Sequence, residues 1–310
     1  MKIKTASDYK LLSNSVVTIG TFDGVHVGHK KIIKRLVKIA KKENLQAIVL
    51  TFFPHPRMVV QKDTDIKMLN TIDEKNKLME AEGIDHLVVK KFTKQFSRLS
   101  AQDYVSEVLV DTLHVKHIII GYDHHFGRNR TANINDLKAF GGIYDFKVTE
   151  ISAQEIDEVT VSSTKIRKAL LNGDVQTANT FLGYNFMLTG KVVKGKGLGK
   201  QLSYPTANIK IKEAYKLIPK NGVYVVKANI KGTTVFGMMN IGTNPTVEGK
   251  EQSIEVHFFN FNQDIYGKTL EIEILVRLRD EQKFDSLEDL KNQLSKDLIH
   301  SKHYLKQNDA

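Results

Sequence analysis

Val16-Val-Thr-Ile-Gly20-Thr-Phe-Asp-Gly-Val-His-Val-Gly-His29 is the stretch that decides the fold of the N-terminal half. Val16–Gly20 is a short, β-branched apolar run, the composition of a buried strand. Glycines then break the run, and a helical pattern covers His29–Glu43. Ile32, Ile33, Leu36, Ile39 and Ala40 recur there at helical spacing and predict one buried stripe. Strand, glycine turn and helix together open a β-α-β unit. Working outward, Ala47–Phe53, Leu87–Val89, His117–Gly121 and Phe146–Thr149 read as further strands. Helical patterns fall between them, at Thr71–Glu82 and from Ser100, an N-cap residue with Asp103 in the first turn. This alternation predicts a parallel sheet covered on both faces, with ligands at the carboxyl ends of its strands.

The pattern changes near residues 182–186. Val223–Ile230, Thr234–Asn240, Ile254–Phe259 and Thr269–Arg277 are strands separated by turns such as Asn221-Gly222, Lys231-Gly232 and Glu248-Gly249. Strands that follow one another without helices predict a small antiparallel barrel or sandwich. The chain closes on a helix capped by Ser286, with Leu287, Leu290, Leu294 and Leu298 as its expected stripe. At about 150 residues per domain, the 310 residues make two domains, expected at 1–182 and 183–310.

Composition narrows the function. The chain has no cysteine, which excludes disulfides, thiolate metal sites and cysteine nucleophiles and fits a reducing compartment. Its longest apolar run, Ala47–Phe53, is far short of the ~20 residues that cross a bilayer. The N-terminus lacks the apolar core of a secretory signal. A soluble cytoplasmic protein without a membrane partner is expected. The net charge of +11 favours anionic partners such as phosphates and nucleotides. Lys30, Lys31, Lys34, Arg35, Lys38, Lys41 and Lys42 hold much of it on one helix. No aromatic residue interleaves with them to stack on bases, so a solvated face is expected there, not a nucleic-acid site.

Two constellations carry chemistry. In the first, Gly20, Gly24 and Gly28 let backbone N–H groups approach a phosphate beside a helix start. His26 and His29, three apart, face the same way and could donate to charge developing at a phosphorus. The same pair could bind a metal, although the usual third ligand is not evident. Val161-Ser-Ser-Thr-Lys-Ile-Arg-Lys168 opens a later helix with hydroxyls and cations that hold either the helix end or an anion. In the second, Gly195-Lys-Gly-Leu-Gly199-Lys-Gln-Leu-Ser-Tyr-Pro205-Thr-Ala-Asn208 joins a glycine loop to an extended segment. Thr206 and Asn208 share one face if extended, offering a hydroxyl and an amide oxygen to Mg²⁺. Glu255 and His257 share a face of the strand at 254–260, and Glu255 suits a general base.

Together these segments resemble the prokaryotic bifunctional riboflavin kinase/FMN adenylyltransferase family, also called FAD synthetase, over essentially the whole chain. The turn Phe22-Asp-Gly-Val-His26 with Gly28-His29, and Ser162-Ser-Thr164 with Arg167, are similar to the adenylyltransferase module. Gly195–Asn208 is similar to the kinase module, as are Gly242–Thr246, Tyr266-Gly267 and Arg279–Phe284. The resemblance implies a Rossmann-like nucleotidyltransferase domain followed by a small antiparallel β-barrel with a C-terminal helix. It implies phosphorylation of riboflavin by MgATP, then transfer of AMP from a second ATP to FMN. A chain with one working module is the alternative.

By the same resemblance, Glu255 takes the ribityl hydroxyl proton, and Thr206 and Asn208 hold Mg²⁺ and phosphate oxygens. Gly195, Gly197, Gly199 and Lys200 cover the nucleotide, Pro205 stiffens the loop, and Arg279 helps close the flavin pocket. His26 and His29 stabilise the pentacoordinate phosphorus. Gly20, Phe22, Asp23, Gly24, Gly28, Ser163, Thr164 and Arg167 bind nucleotide or phosphate, with Asp123 near adenosine or flavin. Two positions depart from the family pattern: Ser203 and Ala132 stand where glycine is usual. Serine fits the first if its φ is negative. Oligomeric state is not legible.

Overall fold

The computed structural model describes residues 4–5, 13–61, 66–122, 124–152, 161–195, 199, 202–246 and 249–308. Contacts divide the chain into two compact units, Met1–Ser163 and Thr164–Ala310.

In the first unit, strands β1 (Lys4–Thr5), β2 (Ser15–Ile19), β3 (Gln46–Phe53), β4 (His86–Lys91), β5 (Val115–Gly121) and β6 (Lys147–Ile151) form one sheet in the order β1-β4-β3-β2-β5-β6. Every pairing is parallel. The helices are α1 (Val27–Glu43), α2 (Pro56–Val60), α3 (Ile72–Ala81), α4 (Ala101–Asp103) and α5 (Ile134–Tyr144). Ser100 caps α4, which runs on as a π-helix over Tyr104–Thr112. Alternate strand residues feed two separate cores, as the two-residue period of a strand requires. Val17, Ile48, Leu50 and Ile118 pack with Val105, Leu109 and Leu137 on one face. Val16, Val49, Leu87 and Ile119 pack with Ile33, Leu36, Ala40 and Met79 on the other. The β2–α1 turn lies at the carboxyl end of a central strand, buried on both sides.

The second unit contains α6 (Ser163–Asn172, entered at its second residue), α7 (Val175–Leu182) and a closed barrel. Its strands are β7 (Met187–Val193), β8 (Ala207–Lys210), β9 (Gly222–Ile230), β10 (Thr233–Thr246), β11 (Gly249–Phe258) and β12 (Thr269–Arg279), ordered β10-β11-β8-β7-β12-β9. Closure decides between the barrel and the sandwich. Lys231 (φ 54°) and Gly232 (φ 87°) make the two-residue turn between β9 and β10, both in the left-handed region that such hairpins need. The composition changes at 182–186, but the helices before it contact the barrel: Asn179 Nδ2 donates to Ile274 O at 2.9 Å, and Lys220 N to Leu170 O at 3.0 Å.

Helix α8 (Leu287–Gln307) starts at Ser286, whose Oγ accepts from Asp289 N at 3.1 Å. Its expected leucine stripe holds in part: Leu290, Leu294 and Leu298 are half-buried. Leu287 is exposed, and the buried positions are Asp297, Ser301 and Leu305. The helix docks through its later turns, where Asp297 receives a two-pronged bond from Arg279, 2.9 Å from Nε and 2.7 Å from NH2. That pairing fixes the rotation of the helix.

Candidate active sites

The Gly20–His29 turn is built from left-handed backbone: φ is 45° at Phe22, 88° at Gly24 and 37° at Val25. Such angles suit glycine and strain the other two. Gly20 lets the buried Phe22 ring lie 3.0 Å from where its Cβ would be. His26 is the N-cap of α1. Its Nδ1 accepts from His29 N at 3.4 Å, so the ring proton sits on Nε2. The two imidazoles stack with centroids 3.6 Å apart, and Gly28 lies against the His26 ring.

Burial pushes the His26 imidazole down to about 4, against the opposing pull of Asp23. Burial, then His26, then Lys75 hold His29 well below its ordinary value. Both rings are therefore neutral donors at pH 7. Buried Nδ1 of His29 finds no partner among the described residues. A buried polar atom left unpaired calls for a partner, which a substrate oxygen would supply. The dipole at the start of α1 favours an anion in the same place.

Ser163 joins this site: its Oγ donates to Asp23 O at 2.8 Å. Thr164 and Arg167 lie on α6 in the second unit. Asp23 needs a different reading from the expected one. It is 1% exposed, and its carboxylate accepts from Leu69 N at 3.0 Å and Asn70 N at 3.4 Å. An inward carboxylate anchors the turn; facing a phosphate it would repel it. Asp123 lies outside the described residues. Sequence reasoning missed Lys75, which is 2% exposed and donates from Nζ to Thr21 O at 2.7 Å. In the sequence it is one more lysine on the helix at Thr71–Glu82, and the Thr71–Glu74 capping box beside it comes from the structure.

The second site lies on the outer face of the barrel. Ile254, Val256 and Phe258 point inward and are buried, leaving Glu255 and His257 on the other face of β11. Glu255 sits opposite Asn208 in the antiparallel pairing of β8 and β11. Thr206 Oγ1 donates to Glu255 Oε2 at 3.1 Å. A side chain at Gly195 would collide with the Asn208 amide, and one at Gly199 with Tyr204 O. Gly195, Gly199, Thr206, Asn208 and Glu255 thus form one cluster. Pro205 O bonds to His257 Nδ1 at 2.9 Å, and Tyr204 reaches Ser295 of α8 through its hydroxyl at 3.0 Å. Gly197 and Lys200 lie outside the described residues.

Ser203 has φ 67°, so the condition of a negative φ is not met and serine stands at a left-handed position that suits glycine. Ala132, by contrast, keeps φ outside that region. It is buried and closes a loop by exchanging two backbone bonds with Phe126, at 3.0 and 3.2 Å. Arg279 is held by Asp297 and its NH1 donates to Asp280 O at 2.9 Å. Beside it, Glu281 accepts from Thr243 N at 3.2 Å and Asn221 Nδ2 at 3.0 Å. Two segments singled out in the sequence, 242–246 and 279–284, are thereby tied together.

A histidine turn on a parallel sheet and a Thr-Asn-Glu cluster on a closed barrel define a two-domain nucleotide-using transferase. The comparisons make this specific. The family model described as FAD synthetase matches residues 8–165, and the one described as riboflavin kinase matches 182–305. The chain is 40% identical over 299 residues, 95% of each chain, to the bifunctional riboflavin kinase/FMN adenylyltransferase of Buchnera aphidicola. It is 40% identical to that of Listeria monocytogenes, covering 92% of this chain and 90% of the relative. A crystal structure described as a macrolide-efflux protein from Streptococcus pneumoniae is 34% identical, with a TM-score of 0.86 and 97% of each chain covered. Among the described residues of this chain, no helix is long and apolar enough to cross a membrane. The chain belongs to the bifunctional riboflavin kinase/FMN adenylyltransferase family and carries both of its catalytic domains.

Proposed function

We propose that the two sites act in sequence on one flavin, with residues 183–310 phosphorylating riboflavin and residues 1–182 adenylylating the FMN formed. The observation that carries the kinase assignment is Thr206 Oγ1 3.1 Å from Glu255 Oε2 with Asn208 directly opposite. Glu255 takes the proton of the terminal ribityl hydroxyl as that oxygen attacks the γ-phosphorus of ATP and ADP leaves. The Thr206 hydroxyl and Asn208 amide are hard oxygen donors and fit Mg²⁺. Among the described residues no cluster of three acidic or histidine side chains could hold a metal alone, so nucleotide phosphates would complete its shell. Bound there, Mg²⁺ neutralises phosphate charge. The Gly195–Lys200 loop covers the nucleotide, and Arg279, fixed by Asp297, shapes the flavin side.

At the other site, the phosphate of FMN attacks the α-phosphorus of ATP and pyrophosphate leaves. The nucleophile is already an anion, so no strong base is needed. Neutral His26 and His29 donate hydrogen bonds to the charge that builds on the phosphorus oxygens. Glycines 20, 24 and 28 and the α1 amides receive the phosphates. Ser163, whose hydroxyl reaches Asp23 O, serves the same anion. A reducing, cytoplasmic setting is consistent with the absence of cysteine.

End-point chromatography of the chain with riboflavin, ATP and Mg²⁺ tests the proposal. Riboflavin turning to FMN and then FAD is expected. FMN without FAD, also with reduced flavin, would remove the adenylylation role. No turnover of riboflavin, with FAD formed from added FMN, would remove the kinase role.

A further inference from the structure

Five buried polar residues crowd the start of α3: Asn70, Thr71, Glu74, Lys75 and Asn76. A helix there needs its cap, and Thr71 and Glu74 supply one, with Glu74 N donating to Thr71 Oγ1 at 3.1 Å and Thr71 N to Glu74 Oε2 at 2.9 Å. Capping does not account for Lys75. Lysine is almost never fully buried unless its charge is met. Its ammonium donates to Thr21 O at 2.7 Å. The same carbonyl accepts from Thr51 Oγ1 at 3.2 Å. Two donors, one from α3 and one from β3, thus converge on the peptide just before the left-handed run at Phe22, Gly24 and Val25. Asp23, within that run, grips Leu69 N and Asn70 N. The turn carrying the histidines is held from beneath at consecutive peptides.

We propose that Lys75 is a positioning residue of the adenylyl-transfer site: its buried ammonium fixes the Thr21 carbonyl, and through it the spacing of His26 and His29. The inference rests on the adenylylation reading given above. Lys75 faces Asp23 from the turn and His29 from α1, with Glu74 as its neighbour on α3. Burial lowers it to about 8, whereas both imidazoles titrate far below that. Its charge also disfavours protonation of His29, keeping that ring a neutral donor.

The test uses the full chain and reads both reactions, the kinase serving as internal control. Lys75→Met should cut kcat for FAD formation by on the order of 100-fold, the cost of a lost orienting contact. The KM for ATP and the rate of FMN formation should each stay within about threefold. In the wild-type chain, kcat/KM for FMN should fall above about pH 8, since that ratio reports the free enzyme. Lys75→Arg, which keeps the donor and does not titrate, should retain most activity and lose that alkaline fall. A Lys75→Met chain with near wild-type FAD formation overturns the proposal. So does an alkaline fall that is absent from wild type or persists in Lys75→Arg. Should Lys75→Met not fold, judged by circular dichroism, the wild-type and Lys75→Arg profiles decide alone. A wild-type chain that forms FMN and no FAD refutes the adenylylation reading itself, a result distinct from any failure of the variants.

Discussion

The two sites solve phosphate chemistry with opposite materials. The histidine turn is buried, and main-chain groups hold it: Thr21 O, Asp23 O, Leu69 N and Asn70 N all take side-chain partners. Its histidines are neutral because they are dry. The kinase cluster lies on the outside of a barrel, where pairing of β8 with β11 brings Asn208 opposite Glu255. There side chains meet side chains, and a glycine loop passes over them. A dry, main-chain site depends on the conformation of a short turn. An outer-face site depends on the register of two strands.

The largest effect should come from removing the base. Glu255→Ala should lower FMN formation by on the order of a thousandfold while FAD formation from supplied FMN persists. Near wild-type phosphorylation of riboflavin, followed by chromatography, would break the division between the sites. The reciprocal change, His29→Ala, should lower FAD formation by roughly a hundredfold or more and let FMN accumulate. Undiminished FAD in that variant would strip the stacked pair of its role.

Acid should separate the sites by stability. His26 is neutral when folded, with its value pushed down to about 4, and regains 6.5 when unfolded. Below 6.5 the unfolded chain binds the extra proton, so this stability is complete above pH 6.5 and drains away as pH falls to 4. The loss at the acid end is ~3 kcal/mol. Hydrogen exchange of the α1 amides measures it. Equal protection at pH 7 and at pH 4, once corrected for intrinsic exchange rates, would mean the histidines are not kept neutral. The smallest effect belongs to the glycine loop. Ser203→Gly should relieve the left-handed backbone at φ 67° and stabilise the barrel unit by about 1 kcal/mol. An unchanged denaturation midpoint would mean the serine conformation carries no strain.

Much of this architecture is legible in the one-dimensional pattern. The central strands announce themselves because both faces are buried, so Val16–Gly20 and Ala47–Phe53 are apolar throughout. The capping residues Ser100 and Ser286 are legible because a cap is a local bond. The glycine loop and the Thr206–Asn208 alternation are also local, and the structure brings both residues beside Glu255. The leucine stripe of α8 held in part: Leu290, Leu294 and Leu298 are half-buried, but Asp297 turns inward to meet Arg279 of β12, and Ser301 donates back to Asp297 O within the helix. Ser203 stood out as a departure from glycine, but its left-handed φ was not legible because a residue's letter does not state its φ. Asp23 misled because a charged letter in a phosphate-binding turn reads as a ligand group, and Lys75 drew no reading at all.

By itself, then, the sequence determined what local chemistry can encode. It set the strand and helix periods, the caps, the two glycine turns, the two-domain order and the residue types able to handle phosphate. Only the tertiary structure decided that α8 is buried most deeply at Asp297, Ser301 and Leu305, that the barrel closes, that Asp23 points inward and that a lysine from α3 lies beneath the histidines. Those outcomes depend on partners distant in sequence, 46 residues away for Asp23 and 54 for Lys75. Burial, and the shift from charged to neutral imidazole that follows from it, exists only once those distant segments have closed over the turn.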